Sequence, residues 1–224
     1  LSKFAKPPVS PILYLAATDR ELAAVPDALC SSPNRAALSG VGIPVVFEGA
    51  ERWLSPSVGL IVNIGIAGAY PGAGIAIGDI VIADCETYGD IGFELPDEIA
   101  FRPISASEFG AFYRDPFPTV TPAEWRGGPD LGFRVHTGRG CTVNACTGTQ
   151  ATGVRRRDLF GAVFETMEGA AIAQIGRRAG IPVCEIRVIS NIAGDRDMRP
   201  ENIARALANL RRYLETRKAP ARVP

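Results

Sequence analysis

From Val58 to Gly78 the chain runs for 21 residues without a charge. That is the length of a membrane-spanning helix, so how this stretch folds constrains everything around it. It carries six Gly together with Pro71 and Asn63, and Asp79 follows at once. Each glycine weakens a helix by about 1 kcal/mol relative to alanine. The stretch therefore reads as a buried strand (Val58 to Ile64), a glycine turn and a second strand (Ile75 to Ala83). Strands that are apolar throughout, rather than at alternate positions, need cover on both faces of their sheet. A layered α/β arrangement supplies that cover.

The rest of the chain fits this frame. Ile12 to Ala17 is a short buried strand, followed by a polar turn and a helix-like stretch from Glu21 to Leu29. Gly132 to Thr142 and Val183 to Ile189 are further strands. Glu168 to Ala179 reads as a helix stopped by Gly180, with Pro182 just beyond. A last helix follows Pro200, with Ile203, Leu207, Leu210 and Leu214 on one face. Phe93 to Asp130 is interrupted by Pro96, Pro103, Pro116, Pro118, Pro122 and Pro129 and reads as an excursion of loops with at most one short helix. The expectation is one α/β domain over residues 1–224, a three-layer α/β/α unit with a central mixed twisted sheet and frayed ends at 1–10 and 218–224. Its chemistry belongs at the strand ends.

Charge and cysteines narrow the partners. Lys plus Arg number 24, as do Asp plus Glu, so the cationic excess that nucleic-acid binding draws on is missing. The apolar run Pro11 to Ala17 within Leu1 to Val25 is short for an export signal and lacks a cleavage site. Cys30, Cys85, Cys141, Cys146 and Cys184 form no CxxC and no metal-ligand spacing. They read as reduced thiols of a soluble cytoplasmic protein, with no membrane partner.

Several residues are candidates for chemistry. Gly40-Val41-Gly42 and Gly72-Ala73-Gly74 fail the strand–GxGxxG–helix pattern and read as tight turns. His136, the sole histidine, lies inside a strand and reads as structurally buried; no GxSxG accompanies it. Glu21 stands after the first strand, where a sheet presents reacting groups, although a first-turn carboxylate also suits the helix dipole. Glu168 heads a helix of small residues, a costly place for a charge unless something polar meets it. Asn191 follows the strand Ile186 to Ser190, with Asp195 and Asp197 close behind.

These pieces together resemble the purine nucleoside phosphorylase and nucleosidase superfamily. The segments that carry the resemblance are Leu13 to Glu21, Ser39-Gly40-Val41-Gly42, Asn63-Ile64-Gly65-Ile66-Ala67-Gly68 with Gly78-Asp79-Ile80-Val81, Met167-Glu168-Gly169-Ala170-Ala171, and Arg187-Val188-Ile189-Ser190-Asn191. Within the superfamily, Ile66-Ala67-Gly68, Thr142-Val143-Asn144 and Ser190-Asn191 followed by Gly194-Asp195-Arg196-Asp197 resemble the branch that hydrolyses a hypoxanthine nucleoside. The resemblance implies a nucleoside phosphorylase-like fold, cleavage of an N-glycosidic bond, a small-molecule nucleoside as partner, no cofactor and no metal. It also implies assembly as a homodimer or higher homo-oligomer. Glu21 would hold and deprotonate a water below the anomeric carbon, Glu168 would receive the ribose hydroxyls with Met167 against the sugar, and Asn191 would face the purine. Ile66, Ala67, Gly68, Thr142, Val143, Phe164 and Ser190 are the implied substrate contacts.

Two positions discriminate within the superfamily. An amide at Asn191 offers a donor and an acceptor, complementary to the carbonyl and ring N–H of a 6-oxopurine; a mismatch strands a polar group at about 1–3 kcal/mol. Asn63 and Ile66 stand where phosphorylases of the superfamily place Arg and Ser, so the usual phosphate holders are missing and hydrolysis is favoured. Thr142-Val143 replaces a stacking Phe found in related nucleosidases, leaving Phe164 or Tyr88 as candidates for that role. The alternatives are a purine nucleoside phosphorylase or a methylthioadenosine/adenosylhomocysteine-type nucleosidase. The two carboxylates disfavour a non-catalytic nucleoside-binding module, and the missing GxGxxG disfavours a nucleotide-dependent oxidoreductase.

Overall fold

The structure, a computed structural model, describes residues 11–95, 101–110, 115–127, 129–195 and 197–217. The termini expected to fray, 1–10 and 218–224, lie outside the described residues, as do Arg196 and parts of 93–130. The strands are β1 (Ile12–Ala16), β2 (Arg35–Leu38), β3 (Leu60–Ala69), β4 (Ile80–Tyr88), β5 (Gly92–Glu94), β6 (Phe101–Pro103), β7 (Phe117–Pro118), β8 (Val135–Thr142), β9 (Ala162–Thr166) and β10 (Val183–Ile192). The helices are α1 (Asp19–Leu22), α2 (Ile43–Trp53), α3 (Gln150–Phe160), α4 (Gly169–Ala179) and α5 (Pro200–Glu215).

The two-residue period of β1 assigns the layers. Ile12, Tyr14 and Ala16 point into a core shared with Leu210, Tyr213 and Leu214 of α5. Leu13 and Leu15 point the other way, onto Val46 and Trp53 of α2 and Ala171 and Ile172 of α4. Helices therefore cover both faces of a mixed sheet, the three-layer arrangement expected from the continuous apolar strands. β1 runs parallel to β2 and β3, and β10 runs parallel to β3. β9 is antiparallel to β3 and β4 antiparallel to β10. The parallel pairs β4–β8 and β8–β9 complete a ring of β3, β10, β4, β8 and β9, a closure that the strand pattern alone did not imply.

Several boundaries differ from the sequence reading. The helix expected over Glu21 to Leu29 is one turn, α1, followed after Pro26 by a 3₁₀ turn at Asp27–Leu29. A proline at 26 cannot donate to Leu22 and would crowd its carbonyl. The glycine turn is displaced: β3 continues through Gly65 and Gly68 to Ala69, and the chain reverses at Gly72, Gly74 and Gly78, all with φ between 73° and 96°. The second strand accordingly begins at Ile80, not Ile75. β10 extends to Ile192, so Asn191 lies in the strand, beside a register shift after Ile189, rather than in a loop beyond it. The helices α2 and α3 were not anticipated. The polar α3 offers no apolar stripe to read, and its start is marked by the Thr149 hydroxyl, which accepts from Thr152 N at 3.2 Å.

The described parts of the 93–130 excursion hold the β5–β6 hairpin, β7 paired with β4, and 3₁₀ turns at Ile104–Ala106 and Ala123–Trp125. Phe117 and Trp125 are fully buried, and Tyr213 of α5 donates to Trp125 O at 3.0 Å, which ties the excursion to the body. His136 is only half-buried; its Nε2 lies 2.8 Å from Asp79 Oδ2 and links β8 to the turn before β4. Among the described residues no helix is long and apolar enough to cross a membrane.

Candidate active site

The C-terminal ends of β1, β9 and β10 and the last third of β3 open onto one cavity of about 300 Å³, within the range of small-molecule sites. Glu21, Ile66, Ala67, Gly68, Met167, Glu168, Ser190 and Asn191 all line it. Residues up to 170 positions apart in sequence meet there because strand ends converge in such folds.

Glu21 reaches the cavity from a capping box. Thr18 Oγ1 accepts from Glu21 N, while Glu21 Oε2 accepts from Thr18 N at 3.0 Å and Thr18 Oγ1 at 2.8 Å. Its other oxygen, Oε1, accepts from Ile66 N at 2.9 Å. The capping box thus fixes the Glu21 carboxylate at the cavity wall. Gly65 leaves room for it. A Cβ at that position would collide with Glu21 Oε1 and with Arg187 Nη1. Gly65→Ala is expected to destabilise the fold by about 1–3 kcal/mol, the usual cost of overpacking a filled site, with thermal melting as the measurement.

Glu168 is the N-cap residue of α4 and faces the cavity beside Met167. Gly42 N donates to its Oε1 at 3.0 Å, and Arg187 Nη2 lies 3.8 Å from its Oε2. Gly40 and Gly42 have φ of 78° and 88°, so Gly40-Val41-Gly42 is the tight turn the sequence suggested, and the turn aims an N–H at this carboxylate. Burial pushes the Glu168 carboxyl above its ordinary range, against the pull of Arg187 and the Gly42 N–H.

Asn191 and Ser190 close the far wall. Ser190 Oγ donates to Asn191 Oδ1 at 3.0 Å, and Asn191 Nδ2 donates to Ile192 O at 3.2 Å. Glu165, which the sequence reading passed over, also lines the cavity; it accepts from Thr147 N at 2.9 Å, from the Thr147 hydroxyl, and from Arg156 Nη1 at 3.5 Å. A Cβ on Gly68 would touch Asn191 Nδ2 at 3.3 Å and Glu165 Cγ at 3.5 Å, so amide and carboxylate flank one glycine. A glutamate inside the apolar strand Ala162–Thr166 was the available signal. Met198, Ile203 and Leu207, on and before α5, make an apolar wall, and Arg20 stands at the rim.

Three expected contacts are corrected. Thr142, Val143 and Phe164 are 0% exposed and do not line the cavity. β8 is separated from β3 by β9, so Thr142 ends behind the head of α4, accepting from Ala170 N at 2.7 Å and donating to Glu86 Oε2 at 2.6 Å. Val143 packs with Tyr70 and Cys141. Phe164 points away because its neighbour Glu165 points in. Tyr88 is buried as well, bonded to Gln174 Oε1 at 2.6 Å. Among the described residues no group of three or more His, Cys, Asp or Glu is arranged to hold a metal ion.

The family description "Phosphorylase superfamily" matches residues 36–219 of this chain. The chain belongs to that family. Within it, the chain is similar to the futalosine hydrolase of Acidothermus cellulolyticus, 40% identical over 155 residues, which are 67% of this chain and 61% of that protein. It is also similar to the futalosine hydrolase of Thermus thermophilus, 35% identical over 165 residues, 71% of each. The chain thus spans about 61% of the length of the Acidothermus relative. In fold it is like the 5'-methylthioadenosine/S-adenosylhomocysteine nucleosidase of Helicobacter pylori, with a TM-score of 0.70, 15% identity, and coverage of 93% of this chain and 97% of that one.

Proposed function

We propose that this chain hydrolyses the N-glycosidic bond of futalosine, releasing hypoxanthine and dehypoxanthine futalosine, as a step of menaquinone biosynthesis. The observation that carries the reading is the single cavity shared by Glu21, Glu168 and Asn191 in a chain whose relatives bear that activity in their names. Glu21, fixed by Thr18 and Ile66 N, holds a water and takes its proton as it attacks the anomeric carbon. Glu168 accepts the ribose hydroxyls, and its negative charge opposes the positive charge that grows on the ring.

The base is read by two residues rather than one. Asn191 Oδ1 accepts from Ser190 Oγ at 3.0 Å and keeps a second lone pair, and Nδ2 keeps a second hydrogen, so the amide still offers the base a donor and an acceptor. Glu165, paired across Gly68 from Asn191, adds a second acceptor for a ring N–H. A donor beside an acceptor fits the O6 and N1–H of hypoxanthine. Adenine presents the reverse pair, so this arrangement favours futalosine over methylthioadenosine. Water is favoured over phosphate because Ile66 brings no hydroxyl to the cavity and the Asn63 amide is spent on Glu185 Oε1 at 3.2 Å. Phosphorolysis has one observation in its favour, the Arg20 side chain at the cavity rim. Purified protein given futalosine, inosine or methylthioadenosine, with and without phosphate, distinguishes the readings. Hypoxanthine from futalosine at a rate indifferent to phosphate is the expected result; phosphate-dependent release, or adenine release alone, would overturn it.

Glu168→Gln is expected to lower kcat by about 10²–10³-fold with a smaller change in KM, since the lost charge interaction strengthens toward the transition state. Wild-type kcat should fall as pH drops through the raised range of the Glu168 carboxyl, because the anion is the active form, and the Gln variant should lack that limb. A change confined to KM would mean simple anchoring.

We also infer a cytoplasmic homodimer or higher homo-oligomer. Cys30, Cys85, Cys141 and Cys184 are outside any disulfide. Leu38, Val41 and Val45 are each over 40% exposed, and Val41 also lines the cavity, so a second copy covering this patch would help enclose the substrate. Light scattering is expected to give at least twice the 23.8 kDa chain mass; a fully active monomer would remove the inference.

A further inference from the structure

Behind Glu168, on the side away from the cavity, the fold buries a second set of acids. Glu86 of β4 and Glu185 of β10 are both 0% exposed, and Arg187 is 1% exposed. The two carboxyls converge beneath Gly169, the first residue of α4. A Cβ there would lie 2.5 Å from Glu86 Cδ and 2.7 and 2.8 Å from the Glu185 oxygens. One oxygen of each is satisfied: Glu86 Oε2 accepts from Thr142 Oγ1 at 2.6 Å, and Glu185 Oε1 accepts from Arg187 Nε at 2.8 Å and Asn63 Nδ2 at 3.2 Å. The other two, Glu86 Oε1 and Glu185 Oε2, are buried with no protein donor in reach.

Two bare carboxylate oxygens cannot share a dry site as anions, because like charges disfavour ionisation and burial adds to the cost. A single proton resolves both problems. We propose that Glu86 and Glu185 share one proton, held on Glu86 and donated to Glu185 Oε2, so that the pair carries one negative charge and positions Arg187 for the cavity. Arg187 is gripped at Nε by Glu185. Its Nη2 faces Glu168 at 3.8 Å, and its Nη1 stands, with Glu21 Oε1, around Gly65. The groups around the pair are Arg187 and Cys184 on β10, Thr142 and Cys141 on β8, Asn63 on β3, and Glu168 at the head of α4. Burial, and then the Glu185 charge, hold the Glu86 carboxyl well above its ordinary range; Thr142 and Arg187 oppose them. The location of Thr142 follows from the same arrangement, since its hydroxyl serves Glu86 rather than a substrate.

The test needs no substrate. A carboxyl raised in the folded state lends stability that is complete below its unfolded pKa of about 4.3 and is lost as pH rises toward the folded value. Glutamine copies the protonated acid, its amide donating to Glu185 Oε2 and its carbonyl accepting from Thr142. Melting temperatures of wild type, Glu86→Gln and Glu86→Ala are measured from pH 4.5 to 8.5. The Gln variant is expected to melt at or above wild type at pH 8, with the gap closing toward pH 4.5, while the Ala variant melts lower throughout. A Gln variant that melts below wild type at pH 8 would show that Glu86 is needed as an anion and overturn the proposal. The positioning role rests on the site reading above and has its own arm. Glu185→Gln should lose tenfold or more in kcat on futalosine with KM within about threefold, and wild-type kcat would withdraw that role. If wild-type protein cleaved no nucleoside, the proposed function would fail while the melting result still decided the shared proton.

Discussion

Glu21→Gln is expected to reduce kcat by about 10²–10⁴-fold, the range for removing a positioned general base, while the protein stays folded. Both parts follow from the contacts of this side chain. Glutamine keeps the length of glutamate and suits the third helical position of a capping box, so α1 still forms. It cannot accept with both ends, however. Glu21 Oε2 receives two donors from Thr18, and Oε1 receives Ile66 N. Once one oxygen becomes NH₂, one of those sets faces a donor and is stranded. The cost is about 1–3 kcal/mol for an unpaired buried group, which for a chain of this size is a fall of several degrees in Tm. Activity must fall much further than stability, because an amide cannot take a proton from water. Single-turnover rates on futalosine, read beside thermal melts, separate the two effects. A Gln variant with near-wild-type kcat would withdraw the water-activating role.

Asn191→Asp should reverse part of the base selectivity. The loss on futalosine is expected to be about 30- to 900-fold in kcat/KM, the rate equivalent of roughly 2–4 kcal/mol for deleting a donor to developing charge in a dry site. The structure adds a second reason to the one available from sequence. The introduced carboxylate would stand across Gly68 from Glu165, meeting a like charge as well as the purine carbonyl. Like-charge proximity raises carboxyl pKa values, so part of the variant population would be protonated there and able to donate to an adenine ring nitrogen. The gain on an adenine analogue should still be smaller than the loss on futalosine, because Glu165 remains an acceptor facing the adenine edge. The measurement is the ratio of kcat/KM for the two substrates at several pH values. An unchanged ratio would mean that Asn191 does not read the base.

Sequence by itself determined what depends on near neighbours. The uncharged, glycine-broken stretch from Val58 to Gly78 required buried strands, and strands buried on both faces required helices in two layers. Gly180 in the left-handed conformation ends α4 where expected, and Pro200 opens α5. Glu21 and Asn191 were legible because each stands at a strand end and Glu168 because it heads a helix of small residues, whereas Met167 came only from the family resemblance. What the tertiary structure decided is which strands are neighbours and which way their side chains point. Thr142 and Val143 end a strand as Asn191 does, yet β9 stands between β8 and β3 and hides them. Phe164 and Glu165 are adjacent in sequence, and the strand's alternation sends the aromatic ring into the core and the carboxylate into the cavity. The pairing of Glu86 with Glu185 lies still further from sequence. The two residues are 99 positions apart, and only closure of the ring of strands brings them beneath Gly169. Turn residues and apolar runs act over a few residues and are written locally; pairing order is fixed by burial summed over the whole sheet, so it appears only when the chain has folded.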